Sequence, residues 1–226
     1  NTVYTAHFVP ATYTIKYSPD TYSQIIGEAV QIKSMGKYTS KVTAVIKTDY
    51  LNTKIFSQWS DGKLNATRSD LVEKDRTYHV WTTTRLYDCH FETDGLESNI
   101  GYIVIGGSGQ QQSIDQSVAY NTSITATASL YSAYTASHEF LGWYKDDVLV
   151  TSNTILTLTI TEEGTWQARF ARKSYTVNFV PGTNGIITGS LVQTVSHGSN
   201  CTAVTAIPNE NYTFKMWSTS ATSNPY

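Results

Sequence analysis

At 226 residues the chain holds enough material for one or two domains with their own cores, and it needs no disulfide staples. Only 15% of its residues are charged, while 34 Thr and 23 Ser make up a quarter of the chain, so its polarity comes mainly from hydroxyls. A net charge of −2 without any basic run argues against a nucleic-acid partner, and no stretch approaches the ~20 apolar residues of a bilayer span, so no membrane insertion is expected.

In chain order, Tyr4-Thr5-Ala6-His7-Phe8 comes first, an aromatic-x-small-x-Phe alternation that reads as a strand with one buried face. Tyr13-Thr14-Ile15-Lys16-Tyr17-Ser18-Pro19 follows with the same period. Sliding the chain by 162 residues lays 4–46 on 166–208 without a gap, and 15 of the 43 pairs are identical. Unrelated sequences of ordinary composition would give roughly three. Tyr13 falls on Tyr175, Gly27 on Gly189, Gln31 on Gln193, Gly36 on Gly198 and Val42-Thr43-Ala44 on Val204-Thr205-Ala206.

That offset spans two repeats, and the middle copy is traced through Tyr102-Ile103-Val104-Ile105, Val118, Ile124-Thr125-Ala126 and Phe140-Leu141-Gly142-Trp143. An aromatic pair marks each copy, at Phe56/Trp59, Phe140/Trp143 and Phe214/Trp217. Such a pair either plugs a small core or offers a stacking platform to a sugar ring, and its recurrence behind alternating strands favours the plug. Gly36, Asn121 and Gly198 take equivalent places between strands, where a residue tolerating positive φ makes a tight turn. Asp61-Gly62 supplies another turn. Only the stretches around Ser69–Lys74 and Leu130–Glu139 have room for a helical turn, and Tyr131–His138 reads as an insertion in the middle copy.

Tyr87-Asp88-Cys89-His90-Phe91 and Trp166-Gln167-Ala168-Arg169-Phe170 repeat the alternation of Tyr4–Phe8 and are read as closing strands. The predicted organisation is therefore all-β: residues 1–8 as the last strand of a preceding repeat, 9–91 and 92–170 as two repeats, and 171–226 as an incomplete third. With no leader pattern at Asn1 and no third closing strand, the sequence reads as a window on a longer array.

Catalytic constellations are sought in vain. His7, His79, His90, His138 and His197 are scattered, and His7 and His90 take the outward position that Arg169 fills in a later copy, as solvated groups do. No zinc, redox or calcium-loop spacing occurs. Gly106-Gly107-Ser108-Gly109 lacks the Lys and the helix of a phosphate cradle. Asp146-Asp147 and Glu162-Glu163 fall at turns, and the number of Asn-x-Ser/Thr sequons (Asn65, Asn121, Asn200, Asn211) matches chance. Cys89 and Cys201 lie in different repeats and are expected as thiols. No catalytic, cofactor-binding or metal-ligating residue is assigned. Of sixteen tyrosines, Tyr22, Tyr38, Tyr120, Tyr131, Tyr134 and Tyr144 have no core assignment; clustered on one side they would make a contact strip, and scattered they are ordinary strand residues.

Tyr175-Thr176-Val177-Asn178-Phe179, Gly185-Ile186-Ile187-Thr188-Gly189, Val204–Pro208 and Tyr212–Ser218 resemble the divergent internalin-type B-repeat of bacterial surface proteins. Phe56-x-x-Trp59-Ser60-Asp61-Gly62 and Thr67-Arg68-Ser69-Asp70 match that pattern more fully. Met216 departs from it where the family usually has Gly, and Cys89 replaces a small residue. The resemblance implies a tandem array of small β-grasp-like or sandwich-like modules in a secreted or wall-anchored protein, acting as a stalk or a weak adhesive unit.

The expectation is a non-enzymatic structural or adhesive segment of a bacterial cell-surface protein. Its partners would be neighbouring repeats of the same chain and, through weak contacts, a host-surface protein or glycan. Very short links between repeats favour a semi-rigid rod. Two alternatives stand beside it: a head-fibre, tail or capsid-associated appendage of a bacterial virus, at the virion surface, and an ancillary carbohydrate-binding module of a secreted enzyme.

Overall fold

The computed structural model describes residues 2–94 and 99–225; Asn1 and Tyr226, the outer bounds of the first and last predicted segments, lie outside them. The described chain is all-β, with short 3-10 turns at Thr48–Tyr50 and Ser132–Tyr134 as its helical elements. It divides into two compact units, one of Asn1–Cys89 with Gln116–Ser123 and Thr159–Glu163, the other of His90–Asp115, Ile124–Leu158 and Gly164–Tyr226.

Seven strands build the first repeat: β1 (Thr12–Ser18), β2 (Ser23–Ile26), β3 (Val30–Ser34), β4 (Val42–Ile46), β5 (Lys54–Trp59), β6 (Thr67–Arg68) and β7 (Arg76–Thr84). They form two sheets, ordered β3-β1-β7-β5 and β2-β4-β6. The β1–β7 pair is parallel, with Ile15 opposite Arg76 and Tyr17 opposite Tyr78; β3 and β5 run antiparallel to their neighbours. Period-2 alternation turns Ile15 and Tyr17 of β1 and Tyr78 and Val80 of β7 inward, where they meet Val42, Ala44, Trp59 and Val72.

The second repeat follows the same plan. β8 (Leu86–Thr93), β10 (Ser113–Ala119), β12 (His138–Lys145), β13 (Val148–Thr151) and β15 (Gly164–Arg172) form one sheet in the order β10-β8-β15-β12-β13. β9 (Gly101–Ile105), β11 (Ser123–Leu130) and β14 (Ile155–Thr159) form the other. The third repeat has β16 (Ser174–Asn178) paired with β18 (Val192–Ser196), and β17 (Gly185–Thr188) paired with β19 (Thr205–Pro208).

The sheet order corrects the reading of Tyr87–Phe91. β8 lies between β10 and β15, as β1 lies between β3 and β7, so Tyr87, Cys89 and Phe91 correspond to Tyr13, Ile15 and Tyr17 and begin a repeat. The strand that closes the first sheet beside β5 is β7. In the second repeat the opening strand β8 and the closing strand β15 carry the same aromatic-small-aromatic alternation because they are neighbours facing one core. Period alone cannot tell them apart. The boundary between repeats in hydrogen bonding thus falls near Arg85, ahead of Tyr87–Phe91.

Two smaller expectations also change. Ser69–Lys74 holds no helical turn, and Thr48–Tyr50 does. Tyr131–His138 is no insertion: Tyr134 N–H donates to Tyr131 O and Lys173 N–H to Ser137 O, reproducing Tyr50 to Lys47 and Arg85 to Thr53 in the first repeat.

The shared turn is as predicted. Gly36, Asn121 and Gly198 have φ of 79°, 67° and 79°, each inside a turn closed by the next N–H, from Lys37 to Ser34, Thr122 to Ala119 and Ser199 to Ser196. Gln31 and Gln193 likewise do one job twice. Each amide NH2 donates to two carbonyls, of Glu28 and Ser40 or of Ser190 and Thr202, while its oxygen accepts the Ser40 or Thr202 N–H.

Candidate functional site

Each repeat sets its aromatic pair against its opening strand. In the first, the fully buried Trp59 meets Tyr17 edge-on at 5.8 Å and Phe56 at 6.1 Å, and Tyr17 stacks on Tyr78 at 5.8 Å. In the second, the fully buried Trp143 meets Phe91 at 6.3 Å and Phe140 at 6.4 Å, and Phe91 stacks on Trp166 at 5.2 Å. The third keeps the contacts, Trp217 meeting Phe179 edge-on at 6.0 Å and Phe214 in a tilted pair at 5.4 Å, but Phe214 and Trp217 are only half-buried. In all three the indole N–H donates to a main-chain carbonyl, of Asn65, Thr154 or Ser223. The pair is therefore a core plug in the first two repeats and not a sugar platform.

The first repeat adds a buried charge cluster. Arg68, with 2% of its side chain exposed, donates through Nε and Nη2 to Asp70 at 2.7 and 2.6 Å and through Nη1 and Nη2 to Asp61 at 3.0 and 2.9 Å. Its guanidinium lies 3.6 Å from the Tyr78 ring centroid and 4.9 Å from that of Trp59. Lys63 Nζ donates to Asp70 at 2.8 Å, and Tyr17 Oη donates to the same carboxylate at 2.9 Å while lying 2.8 Å from Thr39 Oγ1.

Burial by itself pushes the Asp70 carboxyl up, but hydrogen bonds from Arg68, Lys63 and Tyr17 outweigh it and hold the group at about 2. Burial pushes the Tyr17 phenol up to about 12, against the Thr39 hydrogen bond and with help from Asp70. Asp70 is thus ionised and Tyr17 protonated across the neutral range, far from the poise of a general acid or base near pH 7. Two cations offset two carboxylates, and no buried side-chain polar atom among the described residues lacks a partner. The cluster rivets β6 and the Asp61-Gly62 turn onto the core; the sequence signal for it was the Arg68-Ser69-Asp70 spacing.

The remaining residues of interest stay apart. His7 and His79 are exposed, and His138 is buried with Nδ1 2.8 Å from Ser137 Oγ. His197 lies 3.5 Å from the Tyr175 hydroxyl. His90, expected to be a plain surface group, is half-buried and bridges Asp115 at 2.6 Å and Glu92 at 3.4 Å; the Asp115 hydrogen bond raises its pKa against a smaller effect of burial. No three His, Cys, Asp or Glu converge among the described residues.

Gly106 and Gly107, both at positive φ, form the turn after β9. Asp146 and Asp147 form the β12–β13 turn, where Asp147 pairs with Arg169. Cys89 is a buried thiol reaching the Tyr87 carbonyl at 3.8 Å, and Cys201 is a half-buried one. Of the six unassigned tyrosines, Tyr22 meets Tyr50, Tyr120 meets Tyr87, Tyr131 meets Tyr102, Tyr134 meets His138 and Tyr144 lies under Arg169, while Tyr38 is exposed. Five of the six are occupied in local pairs.

One concave surface stands out, within the third repeat. A cavity of about 760 Å³ is lined by Val177, Phe179, Phe214, Met216 and Trp217 among others. Asn178, Asn184, Thr213 and Lys215 line it beside these apolar side chains, and no carboxylate or histidine among the described residues does.

Residues 175–225 match the family model of the divergent InlB B-repeat domain, and residues 99–165 match that of the Listeria-Bacteroides repeat domain. No curated protein and no solved structure is similar enough to match. The two matched segments fall on the third and second repeats.

Proposed function

We propose that this chain, which carries divergent internalin-type B-repeats in tandem, is a spacer segment of a bacterial cell-surface protein, exposed outside the cell. The observation that carries the reading is the repeated aromatic plug. Trp59 and Trp143 are spent on internal packing, and the dense charge cluster around Arg68 and Asp70 is neutralised and internally satisfied. A chain built this way holds distance between what lies on either side of it. Adhesion in this reading is at most weak and distributed, because Tyr22, Tyr120 and Tyr131 are each paired with another tyrosine.

Single-molecule stretching tests the spacer reading. Residues 12–84 and 86–172 should unfold as separate steps, releasing about 250 Å and about 300 Å at ~3.5 Å per residue. A single step spanning the whole chain, or a strong glycan-dependent rise in unfolding force, would count against it.

A further inference from the structure

The net charge of −2 hides an uneven distribution. Residues 12–84 of the first repeat hold ten Lys and Arg against seven Asp and Glu, whereas residues 86–172 of the second hold three against ten. The two repeats therefore carry +3 and −7, so unlike repeats attract while like repeats laid side by side repel.

Their open sheet edges differ in the same sense. β3 is an outer strand of its sheet, with Val30 and Ile32 51% and 66% exposed along it. Glu28 precedes it, and Lys33 and Lys37 stand at its far end. β13 is an outer strand in the second repeat, with Val148, Leu149 and Val150 all exposed. It leaves the exposed turn of Asp146 and Asp147. Asp147 also meets Arg169, and Asp146 has no ion-pair partner among the described residues. By contrast β10, the other outer strand of that sheet, presents Asp115 and Ser117 to solvent, the polar covering that keeps an edge from pairing.

The exposure of both positions recurs in other repeats. Asp115 and Val192, which take the place of Val30 in the second and third repeats, are exposed with a repeat ahead of each in the chain. The segment that replaces β13 in the first repeat lies between Trp59 and Asn65, whose carbonyl accepts the indole N–H, and it leaves Leu64 exposed with a complete repeat behind it.

We propose that β3 of one copy of this chain pairs antiparallel with β13 of a second copy, joining the first repeat of one to the second repeat of the other. Charge sets the direction. Antiparallel pairing lays Asp146 and Asp147 beside Lys33 and Lys37, whereas parallel pairing would lay them beside Glu28. Charge also sets the partner: β13 against β13 would bring together two repeats of −7, and β3 against β3 two of +3. Within the contact Val30 and Ile32 cover the apolar side chains of β13, and the facing main-chain groups of the two edges exchange hydrogen bonds. Because the joined surfaces are unlike, each copy keeps one edge for a further copy. The inference goes beyond the spacer reading, since a spacer holds distance with or without such lateral contacts.

The test is sedimentation of the 226-residue chain from micromolar to millimolar concentration, at low and at high salt. At low salt the mass should rise from 25.1 kDa to about twofold that value and beyond, and high salt should reverse the rise. Ile32→Glu sets a carboxylate on the β3 edge that must meet β13 and its two aspartates, and Val150→Glu sets one on the β13 edge that must meet β3 at its Glu28 end. Both sites are exposed, so each variant should unfold thermally as the parent does, and each alone should stay at 25.1 kDa. Mixed in equal amounts, the two should form a complex of about twofold mass and no larger, because one keeps an intact β13 and the other an intact β3. A parent chain that stays at 25.1 kDa at low salt would overturn the proposal. So would association that either single variant leaves intact, or a mixture that stays monomeric while the parent associates.

Discussion

Arg68 places its guanidinium 3.6 Å from the centroid of the Tyr78 ring while both its edges are taken by carboxylates, Asp61 on one side and Asp70 on the other. Removing Arg68 leaves Asp70, with 4% of its side chain exposed, to the half-exposed Lys63 and the Tyr17 hydroxyl. Arg68→Ala should cost the first repeat ~3–5 kcal/mol, because the penalty lies in the stranded carboxylate more than in the lost attraction. Urea denaturation checks it. The double variant Arg68→Ala/Asp70→Ala should be less damaging than the sum of the single ones, as coupled neighbours are.

The same cluster sets an acid limit. The folded Asp70 carboxyl, held at about 2, lies below its unfolded value of 3.8, so its contribution is fully present above about pH 4–5 and is lost as pH falls toward 2. A gap of nearly two pH units corresponds to about 2 kcal/mol. The raised Tyr17 phenol acts at the other extreme: its contribution is present below about pH 10 and is lost as pH climbs to about 12. Asp70→Asn should flatten the acid limb of first-repeat stability and shift the alkaline limb to lower pH without removing it, since burial is the larger cause of the raised Tyr17 phenol; unfolding measured from pH 2 to 12 would show both.

Much of this architecture is legible in the sequence because it is written more than once. The recurring Phe-x-x-Trp spacing marks the plug at Trp59 and Trp143, and the exchange of Gly36 for Asn121 marks a positive-φ turn. Strand order was not legible. Tyr87-x-Cys89-x-Phe91 and Trp166-x-Ala168-x-Phe170 face one core from the neighbouring strands β8 and β15, so the alternation alone fits an opening or a closing strand. Nor was the pairing of His90 with Asp115, which lie 25 residues apart with no motif between them.

Burial should grade the three tryptophans. Trp59→Ala and Trp143→Ala each empty a site with no exposed surface and should cost ~3–5 kcal/mol in their own repeat. Trp217→Ala, at a half-buried site, should cost clearly less in the isolated chain. Thermal unfolding of the three variants orders them, and equal losses at Trp59 and Trp217 would contradict the grading.

The turn shared by all repeats gives a substitution test that does not disturb the core. A Cβ at Gly36 meets nothing within 4 Å, so any cost of replacement comes from its φ of 79°. Gly36→Asn should be nearly neutral, since Asn121 already occupies the equivalent turn at φ 67°. Gly36→Val should cost ~1–2 kcal/mol or more, because a branched side chain is poorly tolerated in that region. Chemical denaturation of the pair separates backbone strain from packing.

His90 offers the complementary pH signature. Asp115 lies 2.6 Å from Nδ1 and Glu92 lies 3.4 Å from Nε2, so the protonated ring is favoured and its pKa is raised from 6.5. A group bound more tightly to its proton in the fold contributes stability below its unfolded value, and loses it as pH rises through the folded one. The window therefore opens just above pH 6.5, opposite in sense to that of Asp70. Asp115 is 87% exposed, so the effect is screened and should shrink with added salt. Titration of the His90 ring followed by NMR should give a midpoint above 6.5 that Asp115→Asn lowers more than Glu92→Gln does, because the nearer carboxylate holds the shorter hydrogen bond. A midpoint indifferent to Asp115→Asn would show that the pair does not form in solution.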